Sequence, residues 1–273
     1  MKKILLSFLF VMPFWLMSCG SLSGVSGINL YTPADDKKLG AETAATIASN
    51  PTEYPILDRN RFPDAYNGLD AIFSQLLNSG AVRNKDLFDW QVHIINQDVL
   101  NAFAVPGGYL YIYSGLIKFL DDESQLAGVI AHEMAHVDLR HSTSQLTKQY
   151  GLQMLTAMML GENQSQLASM AASLATGLGS LAFSRNDEYQ ADATAVKYLS
   201  QSIYDPRGVA GFFVKLETQG TRAQSTPPFL STHPSPADRI QKIEEAWRIN
   251  GSKTGEGDGR FISRYARMKQ SLP

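Results

Sequence analysis

The sequence lacks several features that would each indicate a class of protein. It has a single cysteine among 273 residues, Cys19, so no intramolecular disulfide can form. Its formal net charge is −2, with no basic patch, which argues against a nucleic-acid partner. It has no glycine-rich phosphate loop and no internal repeat. Its longest apolar run, from Ile4 to Met17, is shorter than the ~18–20 residues that a transmembrane helix requires.

That short apolar run predicts a secretory signal. Lys2 and Lys3 precede it, and Leu16-Met17-Ser18-Cys19 resembles a lipobox, although Met17 is an uncommon residue at its position. We therefore predict a lipoprotein signal peptide at residues 1–18, a lipid anchor on Cys19 that attaches the protein to a membrane, and a flexible Ser/Gly-rich tether at residues 19–30. An ordinary signal peptide containing an incidental cysteine is the alternative.

His132-Glu133-Met134-Ala135-His136 predicts a metal site. Positions i and i+4 of a helix face the same side, about 6 Å apart along the axis, so both imidazoles can reach one ion. Glu133 flanks the ion and is suited to take a proton from a water that the metal activates. The alternative is a surface helix with two incidental histidines.

The third ligand is predicted outside this motif. A metzincin would have a Gly at the position of Leu139 and a His at that of Ser142. His141 falls off the helical register and is interpreted as a cation at the helix C-terminus, together with Arg140. Glu188 and Asp192 are again at i and i+4. Glu188 completes a His2Glu site, and Asp192 accepts the free ring N–H of a ligand histidine. Such acidic pairs are also common on solvated helix faces.

Periodicity predicts the elements around these motifs. Helices are expected at Asp35 to Ala48, Asp64 to Asn78, Asn186 to Leu199 and Ala237 to Ile249. Strands are expected at Trp90 to Ile95 and Tyr109 to Tyr113, with Pro106-Gly107-Gly108 as a turn. The fold class is therefore predicted as α+β and mainly helical, with a small sheet and a single domain at residues 31–273.

The chain resembles the M48 family of zinc metallopeptidases, in its soluble, lipid-anchored bacterial branch. The resemblance rests on the run Leu126 to His136, the block Ser184 to Asp192, Thr232-His233-Pro234 with Arg239-Ile240, and Asn101 to Ser114. It covers most of residues 30 to 250. It implies a zincin-like, specifically gluzincin-like, domain whose motif helix carries HExxH. It also implies one Zn²⁺ per chain, held by His132, His136 and Glu188, and endopeptidase activity.

The resemblance also implies roles outside the metal motifs. Asn101, Ala102, Phe103 and Ala104 belong to the family's active-site hairpin and are expected to bind an extended substrate, although a purely structural hairpin is the alternative. His233 and Arg239 are expected to stabilise an oxyanion. His233 could instead occupy the open metal position, and Arg239 could pair with Glu188, Asp192 or Asp238.

The Met/Ala-rich segment 152–183 leaves two interpretations open. Buried or groove-lining helices are one, and a mobile lid or a surface that meets lipid or a partner is the other. Neither apolar piece of the segment, Leu152 to Leu160 or Leu167 to Phe183, is interpreted as a membrane span.

The sequence thus predicts a zinc endopeptidase that cleaves unfolded or misassembled envelope proteins, with Glu133 as general base. Gly20 after Cys19 favours the inner face of the outer membrane in a Gram-negative host, by a rule carried over from lipoproteins that this start resembles. A chaperone-like periplasmic lipoprotein with little proteolysis is one alternative, and a zinc hydrolase of a non-peptide bond is another. The oligomeric state is not indicated.

Overall fold

The computed structural model describes residues 29–160, 163–177, 182–218, 227–234, 238–257 and 259–273. The predicted signal peptide, the predicted lipidation site Cys19 and most of the predicted tether lie outside these residues. Asn29 and Leu30, the last two tether residues, hydrogen-bond to Thr143 and Thr147 of a helix described below.

Two helices open the domain, and both confirm the predicted elements. Helix α1 (Pro33–Ala48) begins at Thr32, whose side chain accepts from the backbone of Asp35 while the Asp35 carboxylate accepts from Thr32. Helix α2 (Pro63–Leu77) also begins with a proline at its first position. The apolar face of α2 packs into the main core.

A three-stranded sheet lies beside these helices. Strands β1 (Gln91–Ile95), β2 (Ala102–Val105) and β3 (Tyr109–Tyr113) are arranged in the order β1-β3-β2. Strand β1 is parallel to β3, whereas β2 is antiparallel to β3. The β2–β3 turn, Pro106–Gly108, needs glycine because Gly107 and Gly108 have φ of 77° and 106°. Because β2 is at one end of the strand order, it is an edge strand.

Helix α4 (Glu123–Asp138) runs through the centre of the domain, after the short helix α3 (Ser114–Phe119). Asp122 caps it by accepting from the backbone of Gln125, and nearly all of its residues are buried. Gly128 crosses Gly208 closely, since a Cβ at position 128 would lie 2.4 Å from the Gly208 carbonyl oxygen. This central helix carries the predicted metal motif.

The remaining described elements are helical, and α5, α7, α8 and α11 pack against α4. Among the described residues, no helix is both long and apolar enough to cross a membrane. The mainly helical α+β class is confirmed. These elements are α5 (His141–Leu160), α6 (Asn163–Gly177), α7 (Arg185–Ser200), α8 (Gly208–Thr218), α9 (Pro228–Thr232), α10 (Arg239–Ile249) and α11 (Ile262–Gln270).

Candidate metal centre

Four side chains from three parts of the chain converge on one point. His132, His136, Glu188 and His233 are all buried and offer donor atoms that lie within 4.8 Å of one another. His132 Nε2 lies 3.0 Å from His136 Nε2 and 3.2 Å from His233 Nδ1. Glu188 Oε1 lies 3.4 Å from His136 Nε2 and 3.1 Å from His233 Nδ1.

These separations fit a small tetrahedral cation. Ligands about 2.05 Å from a zinc ion stand about 3.3 Å from one another along the edges of the tetrahedron. Asp192 Oδ1 accepts from His132 Nδ1 at 2.9 Å, so the neutral His132 ring presents a bare lone pair at Nε2. Imidazole nitrogens and a carboxylate oxygen are also the donor types that zinc prefers in proteins.

Local helix geometry aligns three of the four donors. His132 and His136 share one face of α4, as their spacing predicts. Ser184 begins α7 through a capping box with Asp187, which places Glu188 in the first turn of that helix. Helices α4 and α7 pack directly against each other, so the two motifs meet.

Arg239 contacts two acidic residues of α7, Glu188 and Asp192. Its Nε and Nη2 donate to Asp192 at 2.6 and 2.9 Å, and its Nη1 lies 2.8 Å from Glu188 Oε2. Nη1 also donates to the carbonyl of Pro234 at 3.3 Å. Asp238 instead accepts from the Tyr189 hydroxyl. These contacts favour the supporting role for Arg239 over contact with an oxyanion.

Burial and neighbouring charges shift the pKa values of the residues in this centre in different directions. Burial opposes protonation of His132, but its hydrogen bonds to Asp192 and Glu188 raise its pKa to about 9. Burial lowers the pKa of His136 well below its ordinary value. Burial would raise the pKa of Asp192, yet the charge of Arg239 holds that pKa low.

Glu133 lies beside the donor group and does not belong to it. Its carboxylate is buried, and Oε1 is 3.4 Å from His233 Nε2. Oε1 makes no hydrogen bond to any part of the chain that the structure describes. It borders a cavity of about 30 Å³ that edge strand β2 also lines, through Phe103, Ala104 and Val105. A cavity of this size holds about one water molecule.

Strand β2 therefore lies next to the candidate general base. Ala102, Phe103 and Ala104 belong to β2, and Asn101 directly precedes it. The Asn101 carbonyl accepts from the Tyr113 amide at 3.2 Å, whereas its buried Oδ1 has no hydrogen-bond partner among the described residues. The predicted substrate-binding residues are thus at the cavity or adjacent to it.

Two aromatic rings hold His233 in the centre. Phe229 stacks on its imidazole with ring centroids 4.5 Å apart, and Phe183 lies 5.4 Å away on the same centroid measure. The His233 amide donates to the Phe229 carbonyl, and the Phe183 amide donates to the Thr232 carbonyl. The two loops that carry Phe183 and His233 are therefore joined beside the metal site.

The prediction that His141 is a cation at a helix C-terminus is wrong. Helix α4 ends at Asp138, and Arg140 has φ of 59°, which turns the chain so that His141 begins α5. His141 is buried, burial lowers its pKa, and its Nδ1 lies 3.0 Å from His136 Nδ1. A continuous helix would have directed His141 elsewhere, so only knowledge of the helix end could have revealed this contact.

The described part of segment 152–183 packs against the domain. In α6, Ala171, Leu174 and Ala175 are buried, and Leu174 lines the cavity beside Glu133. Tyr54 donates to the Ala175 carbonyl at 2.8 Å. These contacts agree with buried, groove-lining helices. Residues 161–162 and 178–181 lie outside the described ranges, as do the side chains of residues 152–168.

Comparison with known proteins identifies the family. The family model described as Peptidase family M48 matches residues 63–247, which include the four donors, Glu133 and Arg239. The chain belongs to peptidase family M48. The family predicted from its motifs is confirmed, and the metallopeptidases of this family use zinc.

Individual relatives are 30–32% identical to this chain over the aligned parts of their sequences. The chain is 30% identical to the beta-barrel assembly-enhancing protease of Yersinia pestis over 244 residues, which cover 82% of this chain and 50% of that protein. It is 32% identical to the protein of the same name in Escherichia coli (strain K12), over 63% of this chain and 38% of that protein. It is 30% identical to the mitochondrial metalloendopeptidase OMA1 of Schizosaccharomyces pombe, over 60% of this chain and 49% of that protein. The chain thus spans half or less of these relatives.

Proposed function

We propose that this protein is a zinc-dependent endopeptidase of the bacterial cell envelope that cleaves unfolded or misassembled proteins. The observation that carries the proposal is the convergence of His132, His136 and Glu188 beside the free carboxylate oxygen of Glu133, next to the edge strand β2. Family membership supports the same chemistry.

Each residue of the centre has a chemical role in this proposal. His132, His136 and Glu188 would hold one zinc ion, which supplies Lewis acidity that polarises a peptide carbonyl and lowers the pKa of water towards ~7. Glu133 accepts the proton of the attacking water and passes it to the leaving amine. Asp192 holds the tautomer of His132, and Arg239 holds Asp192 and Glu188 in place.

Strand β2 is proposed to bind the substrate as an added strand. Its inner edge pairs with β3, so its outer edge has the backbone groups that an extended peptide requires. Recognition through the backbone depends little on side chains. It therefore suits unfolded polypeptides of varied sequence.

His233 is proposed to keep the resting centre closed. Its Nδ1 is as close to Glu188 and His132 as a fourth metal ligand would be, and its Nε2 faces Glu133. His233 and Phe183 both line the cavity beside Glu133, so we propose that a bound peptide displaces them. We expect His233→Ala to increase peptidase activity. Decreased activity with unchanged zinc content would instead support the oxyanion role.

The envelope location is proposed from the predicted lipid anchor on Cys19. The names of the Yersinia and Escherichia relatives refer to beta-barrel assembly, which is compatible with the periplasmic side of an outer membrane. We expect radiolabelled palmitate to be incorporated into the wild-type protein. Cys19→Ala should abolish this incorporation and release the protein into the soluble periplasmic fraction.

The catalytic proposal is tested with Glu133→Gln, which keeps the shape of the side chain and removes its basicity. We expect the variant to bind zinc like the wild type and to lose cleavage of casein by at least ~100-fold. Glu53→Gln, at an exposed glutamate in a different part of the domain, serves as the control and should cleave normally. Full activity of Glu133→Gln would refute the proposed mechanism.

A chaperone-like lipoprotein is the second candidate, because His233 in the donor group would lower basal proteolysis. Cells carrying Glu133→Gln in place of the wild type distinguish the two functions. Defective outer-membrane protein assembly in these cells supports the peptidase, whereas normal assembly supports the chaperone. Digestion of purified peptidoglycan by the wild type, without casein cleavage, would indicate a non-peptide substrate bond instead.

A further inference from the structure

The two histidines of the motif helix have different partners at the nitrogen that faces away from the centre. His132 Nδ1 meets the carboxylate of Asp192, which Arg239 neutralises. His136 Nδ1 meets a second imidazole, His141 Nδ1, at 3.0 Å. His141 Nε2 in turn lies 3.4 Å from the amide oxygen of Gln190 on α7.

The single proton on each neutral imidazole fixes the direction of the hydrogen bonds between these residues. When His136 gives its Nε2 lone pair to a metal, its single proton is on Nδ1 and points at His141. His141 Nδ1 must then accept, which places the His141 proton on Nε2, towards the Gln190 oxygen. His136 thus donates to His141, and His141 donates to Gln190.

The turn that delivers His141 is itself held in place. Arg140, in the left-handed conformation, donates through Nε and Nη2 to Asp36 of α1 at 2.5 and 3.1 Å. Its Nη2 also contacts the Tyr31 carbonyl at 2.5 Å. A non-glycine residue in this conformation carries a cost, which these contacts offset. The rigidity of the turn explains how an imidazole five residues after His136 can return to it.

We propose that His141 is a positioning residue that fixes the tautomer and ring orientation of His136 for metal binding, with Gln190 fixing His141. This inference rests on the proposed zinc site. A partner of this kind typically contributes about 10- to 100-fold to metal affinity. His141 contacts neither the substrate strand nor Glu133 in the proposed mechanism, so its effect should reach the reaction only through His136.

The experiment compares substitutions that keep or remove the acceptor at the Nδ1 position. His141→Asn places an amide oxygen close to that position, whereas His141→Gln extends towards the Nε2 position and His141→Leu removes both. We measure zinc dissociation constants by competition with a chromophoric chelator. We also record the Nδ1–H signal of His136 in ¹H–¹⁵N spectra of the zinc-loaded protein.

We expect His141→Asn to stay within about threefold of the wild type and to retain the Nδ1–H signal. His141→Gln and His141→Leu should weaken zinc binding about 10- to 100-fold and lose that signal. His93→Leu, which removes a partly buried histidine of strand β1, is the control and should bind zinc normally. The unfolding midpoint of each chelator-treated variant reports on the fold separately.

Wild-type zinc affinity in folded His141→Leu would overturn the inference. If His141→Leu does not fold, the order of the other two variants decides, and affinity in His141→Gln equal to or tighter than in His141→Asn overturns it. A wild-type protein that binds no zinc would refute the proposed function, which is a separate outcome.

Discussion

Arg239→Met tests how the centre accommodates two buried carboxylates. The guanidinium is 1% exposed, makes two hydrogen bonds to Asp192 and lies 2.8 Å from Glu188. It also lies 4.3 Å above the ring of Phe213. Methionine fills a similar length without charge, so the substitution leaves both carboxylates without their cation while preserving much of the packing.

The expected loss follows from this burial. Removing one partner of a buried ion pair costs about 3–5 kcal/mol, because the remaining charge is not solvated. Zinc would neutralise part of the Glu188 charge, so the loss should be larger in the metal-free protein than in the zinc-loaded one. Urea unfolding followed by circular dichroism, with and without chelator, measures both values.

The pH dependence of this loss has a definite sign. In the wild type Arg239 holds the pKa of Asp192 below its ordinary value, and the histidines of the centre do the same for Glu188. A carboxylate with a lowered pKa contributes stability above its unfolded pKa of about 4 and loses it as the pH falls. The unfolded state is common to both proteins, and burial without Arg239 raises the pKa of Asp192 in the variant. The difference between Arg239→Met and the wild type should therefore shrink as the pH falls and this carboxyl takes up a proton.

Arg248→Met is the matched control, because Arg248 is on the same helix and its pair with Glu244 is exposed. Exposed pairs of this type contribute about 0.5 kcal/mol. A loss in Arg239→Met no larger than in the control would refute the view that Arg239 compensates both carboxylates.

Two further predictions concern the fold. Burial lowers the pKa of His93 from 6.5 to about 4, so the unfolded chain takes up a proton in this interval that the folded chain does not. The contribution of His93 to wild-type stability should fall by about 3 kcal/mol between pH 6.5 and 4. His93→Phe, which keeps the stacking on Tyr111, should lose this part of the pH dependence. Parallel pH profiles of the unfolding free energy in the two proteins would contradict this. Gly128→Ala should destabilise the protein by about 1–3 kcal/mol, because its Cβ would meet the Gly208 carbonyl at 2.4 Å. Gly151→Ala is the control, because its Cβ would have no neighbour closer than 3.7 Å, and it should be neutral or stabilising. Equal unfolding midpoints for the two alanine variants would be inconsistent with a close helix crossing at Gly128.

Elements with a strong local signal were predicted well. Helices α1, α2 and α7 lie within about two residues of their predicted bounds, since capping residues and apolar periodicity act over a few residues. Strands β1 and β3 were also predicted. The hairpin of β2 and β3 was expected from the family resemblance and is present. The parallel pairing of β1 with β3 was not predicted, because periodicity along a strand carries no information about its neighbour.

In the metal centre, too, the residues on helices were predicted from local spacing, whereas those placed by tertiary contacts were not. The i, i+4 spacing of His132 and His136, and of Glu188 and Asp192, predicted which side chains share a helix face. It could not place His233, because that residue reaches the centre through a loop held by aromatic stacking and backbone hydrogen bonds. Nor could it choose among the possible partners of Arg239.

The sequence by itself therefore determined the family, and it predicted the chemistry of the site through the type of metal ligand and the proposed general base. Only the tertiary structure decided which side chains support the site and where His233 lies. His141 contacts His136 because a left-handed residue at Arg140, held by Asp36 more than 100 positions earlier in the chain, ends one helix and redirects the next. Helical spacing is a local property of the chain, whereas these contacts depend on the packing of segments that are distant in sequence.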